Sequence, residues 1–140
     1  MQTSSAAEPL VGTWKVNLEK SNYGALPAPK SDTATFAAQE GGVFKFTADA
    51  VSAKGEAIHS EFFTKLDGEE CPVTGSPFMD TVVARRIDSR TTEWTAKKQG
   101  KVVVTVKEVV STDGKTLTGV WGRTDEKGQT LSWTTVSDKQ

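Results

Sequence analysis

The chain has 140 residues, with 17 basic against 18 acidic side chains and a formal charge of −1. That length is one domain with interior enough to fold without metals or disulfides, and the balanced charge excludes a dedicated nucleic-acid or anionic-lipid surface. No apolar run approaches the roughly 20 residues of a membrane-spanning helix.

The sole cysteine, Cys71, leaves no internal disulfide and no thiolate metal site, and the sole histidine, His59, excludes a multi-histidine one. No metal and no cofactor are expected. Residues 1–9 are small and polar and are expected to be a flexible N-terminus ahead of a single domain over 10–140. They equally fit the remnant of a removed signal peptide behind an added Met, which places the protein in the periplasm or outside the cell; the cytoplasm is the other reading.

Residues 11–18 alternate, with Trp14, Val16 and Leu18 on one face against Thr13, Lys15 and Asn17. The connection 19–30 carries Asn22, Gly24, Pro27 and Pro29 as breakers and has the length of a lid or plug rather than a hairpin loop. Strands are predicted over 32–39, 43–52 and 57–66, with Phe44, Phe46, Ala48 and Ala50 sharing one face. Asp67-Gly68 breaks the pattern. Residues 71–77 read as irregular, because Pro72 and Pro77 cannot donate within a central strand.

Regular pairing resumes over 80–88, 91–98, 101–111, 115–123 and 130–137. Asp113-Gly114 is the strongest hairpin signal among the turns, and Gln99-Gly100 is another. No stretch has helical periodicity. Nine or ten short strands in consecutive hairpins predict an all-β protein, an antiparallel up-and-down barrel of about 8–10 strands, because closing the meander removes its edges. A barrel of that size either fills itself or holds one small ligand.

Gly12-Thr13-Trp14-Lys15-Val16 resembles the opening strand of the calycins: lipocalins, fatty-acid-binding proteins and avidins. The whole chain resembles small lipocalin-like proteins of bacteria, with its Gly-Thr-Trp-Lys opening and a central Pro-Val-Thr-Gly at 72–75. The resemblance implies that Trp14 closes one end of the barrel beneath an arginine from a late strand, for which Arg123 is the available position. Fatty-acid-binding proteins insert two helices after the first strand, and 19–30 is too short and broken for them. They also hold a ligand carboxylate with an Arg-x-Tyr on the last strand, where this chain has Leu131-Ser132-Trp133-Thr134, its one tyrosine being Tyr23. Carboxylate capture by that chemistry is not expected, and no loop residues match avidin-like biotin recognition.

Several side chains then carry chemical meaning. His59 shares a face with Glu61 and Phe63, opposite Ile58, Phe62 and Leu66, so alternation sends it to solvent. A polar lumen would invert that assignment and make His59 a general base oriented by Glu61. Cys71 reads as a buried, inert thiol. Arg85 and Arg86 are consecutive, so one points in and needs an anion. Glu108 lies on the otherwise apolar stripe of Val102, Val104, Val106 and Val110, and an inward carboxylate there must be paired or protonated; a bulge turning it outward is the alternative. The sharpest expectation is an inward Glu108 facing an inward arginine.

The function read from these residues is a barrel binding a small apolar or amphiphilic molecule. Phe44, Phe46, Phe62, Trp94, Trp121 and Trp133 would form an aromatic wall, with Arg85 and Glu108 as polar contacts. A monomer or small homo-oligomer without a nucleic-acid partner is expected. The alternative is an enzyme on the same barrel, an isomerase, cyclase or lyase using His59, Glu108 and Glu61 as acid and base. A barrel filled by its own side chains is the third reading.

Overall fold

A computed structural model describes residues 8–124 and 127–140. Most of the N-terminus expected to be flexible, residues 1–7, and Asp125-Glu126 of the last turn lie outside the described residues. Ten strands form one antiparallel sheet: β1 (Gly12–Val16), β2 (Ser31–Ala38), β3 (Phe44–Val51), β4 (Ala57–Thr64), β5 (Asp67–Pro72), β6 (Thr81–Asp88), β7 (Thr91–Lys98), β8 (Lys101–Val110), β9 (Thr116–Thr124) and β10 (Thr130–Lys139). Their order is β4-β3-β2-β1-β10-β9-β8-β7-β6-β5, so the first and last strands pair and the meander curls into the predicted up-and-down barrel.

Closure is nearly complete. The two edge strands, β4 and β5, share no ladder; a backbone bridge between Glu61 and Thr74, with both N–H···O distances 3.0 Å, spans their gap. The strand β5 falls where the sequence read as irregular. A proline is tolerated at the end of an edge strand, where its missing N–H faces no ladder, and Pro72 ends β5 beside the gap. Leu66 explains why β5 leaves β4: its φ of 57° turns the backbone left-handed just before β5. Such a residue costs about 1–3 kcal/mol. Burying the Leu66 side chain, 5% exposed, offsets a similar amount.

Local chemistry closes the hairpins. Gln99 and Gly100 both have positive φ, 52° and 79°, the conformation of a two-residue turn that matches strand twist. Asp113 caps its turn by accepting from Ser111 Oγ at 2.6 Å and Lys115 N at 3.0 Å.

The barrel has unlike ends. One gathers the N-terminal segment and the β2–β3, β4–β5, β6–β7 and β8–β9 turns; the other gathers the 17–30 connection and the remaining turns. Leu10, Trp14, Phe36, Leu66, Val110 and Leu117 pack the first end shut, and all are buried. Trp14 is 1% exposed and donates its indole N–H to Leu10 O at 2.9 Å. The cation over its ring is Lys139, with Nζ 5.5 Å from the centroid. Arg123 is not that cation: it pairs with Leu131 towards the other end of β9 and is exposed, because β9 runs away from the closed end.

Candidate functional site: the open half of the lumen

Strand alternation and register decide which side chains enter the barrel. Phe36, Phe46 and Phe62 align across β2, β3 and β4, and Trp94 reaches them from β7 on the far wall. Their ring centroids lie 4.7–5.5 Å apart for Phe46–Phe62, Phe36–Phe46, Phe36–Trp94 and Phe62–Trp94. These rings touch across the lumen and form a dry plug.

Beyond the plug the interior changes character. Asp32 enters from β2, level with Ala50 and Ile58. Glu108 enters from β8 on the plug's other side, between Val106, which pairs with Trp94, and Val110 of the closed end; it is level with Thr92 on β7 and Gly119 on β9. Trp121 and Trp133 stack in parallel at 5.8 Å with an interplanar angle of 8°. Asp32, Ala50, Ile58, Trp121 and Trp133 occupy the inner face towards the open end yet remain only half-buried. Inward side chains with exposed surface mean that this half of the lumen has room beside them.

Two fine contacts set the wall. The Trp121 indole N–H donates to Thr135 Oγ1 at 2.9 Å, and Gly119 permits it, since a Cβ there would meet Trp121 Nε1 at 2.7 Å. Trp94 donates its indole N–H to Thr92 Oγ1 at 3.0 Å.

The electrostatics are those of carboxyls short of water. Burial raises Asp32 to about 6. Glu108 rises to about 7, chiefly by burial, and the charge of Asp32 adds to the rise. Tyr23 lies on the 17–30 connection, and its phenol is pushed up to about 12 by burial and by the charge of Asp32. Its Oη is buried without a hydrogen-bond partner. Among the described residues, no basic group offsets either carboxyl.

The inward arginine expected to face Glu108 is engaged elsewhere. Arg86, not Arg85, shares the inner face with buried Val82 and Ala84, and its Nη2 donates to Glu8 Oε2 at 2.7 Å. The N-terminal segment thereby takes the cation that Glu108 was expected to meet. Arg85 lies exposed on the outer face. Phe44, Phe46, Phe62 and Trp94 belong to the plug or pack against it, while Trp121 and Trp133 line the open half. Val102 leaves the inner stripe because a register shift between Ala96 and Lys97 puts it outside, 54% exposed.

His59 and Glu61 sit outside the barrel. His59 Nδ1 is 2.6 Å from Asp49 Oδ1 and its Nε2 3.4 Å from Glu61 Oε2, and hydrogen bonding first to Asp49 and then to Glu61 raises its pKa. Of the acid–base set read from the sequence, Glu108 alone faces the lumen. Burial raises the Cys71 thiol, which keeps it from acting as a thiolate. No group of three metal-ligating side chains occurs among the described residues.

Two surface concavities lie away from this region. A groove of about 410 Å³ crosses the outside of β6–β9 along Val83, Arg85, Glu93 and Lys107, and a hollow of about 550 Å³ sits at the closed end beside Glu8, Val11 and Lys139. Neither adjoins the lumen carboxyls.

Asp32 and Tyr23 were missed in the sequence. Asp32 was legible by the reasoning that singled out Glu108, since it opens the inward stripe continued by Ala34 and Phe36. Tyr23 lies in an irregular connection, where no periodicity announces direction.

No family model matches the chain, and no curated protein matches it. Solved structures do. The fluorescent protein UnaG superposes with a TM-score of 0.64 at 16% identity, covering 96% of this chain and 99% of that one. A zebrafish ileal bile acid-binding protein complexed with cholic acid gives 0.58 at 14%, covering 94% and 99%. EF1p2_mFAP2b bound to DFHBI gives 0.53 at 12%, covering 99% and 100%. The chain shares their fold. The shared fold is the antiparallel up-and-down barrel expected from the sequence, built here with no helix between β1 and β2.

Proposed function

We propose that this protein binds a small amphiphilic molecule in the open half of its barrel. The observation that carries the reading is the contrast between the two halves. The closed half is packed ring against ring, whereas the inward side chains of the open half keep surface uncovered. A folded interior is ordinarily close-packed, and inward apolar groups left partly uncovered beside a few polar ones are the usual wall of a ligand site. Neighbours in fold that carry cholic acid or DFHBI support the same reading.

The ligand reaches the site past the 17–30 connection and the turns of the open end. Trp121, Trp133 and Ile58 supply apolar contact, and Asp32 and Tyr23 fix orientation. The test uses Nile red, a neutral dye that brightens in apolar surroundings. Saturable one-site brightening is expected, with loss in Ala50→Phe, which fills the lumen beside Asp32. Absence of saturable uptake, or equal uptake by a folded Ala50→Phe, overturns the reading.

A further inference from the structure

We propose that Glu8 is an internal stand-in for a ligand, and that the closed end of the barrel holds a latent site for a small apolar carboxylate built on Arg86. The segment ahead of β1 has the chemistry of such a molecule, a carboxylate joined to an apolar group two residues on. Glu8 Oε2 accepts from Arg86 Nη2 at 2.7 Å, and the Leu10 side chain is 3% exposed in the cluster that packs this end.

Arg86 makes the site specific. It follows buried Val82 and Ala84 on the inner face of β6, and its backbone N–H is fixed on Leu66 O at 3.0 Å. Ala84 pairs with Trp94, so Arg86 stands on the closed side of the ring plug, apart from the open half. A guanidinium brought inside a barrel is costly without an anion. Its planar fork fits a carboxylate through two parallel bonds. Glu8 supplies half of that fit: a single bond joins the pair, and Glu8 Oε1 is buried without a hydrogen-bond partner. Such an orphan acceptor is rare in folded proteins. A free carboxylate, untethered to the backbone, can turn to meet both arms of the fork.

The segment that carries Glu8 is also lightly held. It precedes β1 and joins no ladder. Among the described residues, its other bonds are the Trp14 indole N–H on Leu10 O at 2.9 Å and a turn bond from Val11 N to Glu8 O at 3.4 Å. A hollow of about 550 Å³ lies beside Glu8, Pro9 and Val11, giving the segment space to withdraw. Segments with few backbone bonds open at low free energy. Withdrawal uncovers the Arg86 fork together with the apolar seat of Leu10, and the two match the two parts of an apolar acid.

The experiment measures octanoate and octanol binding by calorimetry to wild type, to Glu8→Gln, and to Glu8→Gln combined with Arg86→Gln. Octanoate is expected to bind Glu8→Gln roughly ten- to a hundred-fold more tightly than wild type, because the internal competitor has lost its charge. The double variant should lose that gain, and octanol should bind all three proteins alike. A second measurement needs no variant: saturating octanoate should speed hydrogen exchange at the amides of Leu10 and Val11 in wild type. The proposal is overturned if Glu8→Gln gains no octanoate affinity, if the folded double variant keeps the gain, or if octanol gains as much. Unchanged protection of Leu10 and Val11 in the octanoate complex overturns it as well. Nile red uptake in the open half does not involve Arg86, so any of these failures leaves that reading standing.

Discussion

Asp32 on β2 and Glu108 on β8 are coupled across the lumen: charge on Asp32 opposes ionisation of Glu108. Burial holds the first at about 6 and the second at about 7, above the roughly 3.9 and 4.3 of the unfolded chain. As pH rises the unfolded chain therefore loses these protons first. The stability these groups contribute is fully present below about pH 4 and is lost as pH climbs through 6 and 7. Each shift corresponds to about 3 kcal/mol. Urea denaturation should show a midpoint falling from pH 5 to pH 8, and Glu108→Gln should flatten the fall and be more stable than wild type at pH 8 by about 2–3 kcal/mol. A wild-type midpoint that rises over this range contradicts the buried pair.

The β4–β5 gap depends on one glycine. Gly75 has φ of 88°, and a Cβ there would press into the carbonyl oxygen of His59, next to the Glu61–Thr74 bridge. Gly75→Ala should cost about 1–3 kcal/mol. The amides of Glu61 and Thr74 should exchange faster in hydrogen-exchange mass spectrometry, while β8–β9 amides stay protected. Unchanged protection at the gap would show that the bridge does not hold it.

Gly119 sets the stacked tryptophans. An alanine there meets Trp121 Nε1 at 2.7 Å and Thr135 Oγ1 at 3.0 Å, so the hydrogen bond between them must break. Gly119→Ala should lose about 1–2 kcal/mol and the near-ultraviolet dichroism of the Trp121–Trp133 pair. Trp94→Ala should cost more, about 3–5 kcal/mol, because it opens a cavity in the plug. Equal losses for the two variants would contradict the division into packed and open halves.

Much of this was legible in the sequence. The resemblance of the opening strand placed Trp14 inside, and alternation placed His59 outside, because Ile58, Phe62 and Leu66 make the opposite face of that strand the more apolar one. Glu108 stood out as the one carboxylate on a valine stripe. Parity failed where both faces carry apolar groups: Arg85 lies with Val83 and Ile87, Arg86 with Val82 and Ala84, and only packing tells which set is buried. The strand β5 was hidden because Pro72 is excluded from a central strand but not from an edge, and edges are a property of the closed barrel. The engagement of Arg86 by Glu8 brings together residues 78 positions apart, which no local pattern encodes. The pairing of Asp32 with Glu108 likewise exists only once β1 meets β10.

The most direct measurement is a titration of Nile red with the wild-type protein and with Ala50→Phe. Saturable one-site brightening that Ala50→Phe abolishes is the predicted result. No saturable uptake, or equal uptake by the folded Ala50→Phe variant, contradicts a ligand site in the open half of the barrel.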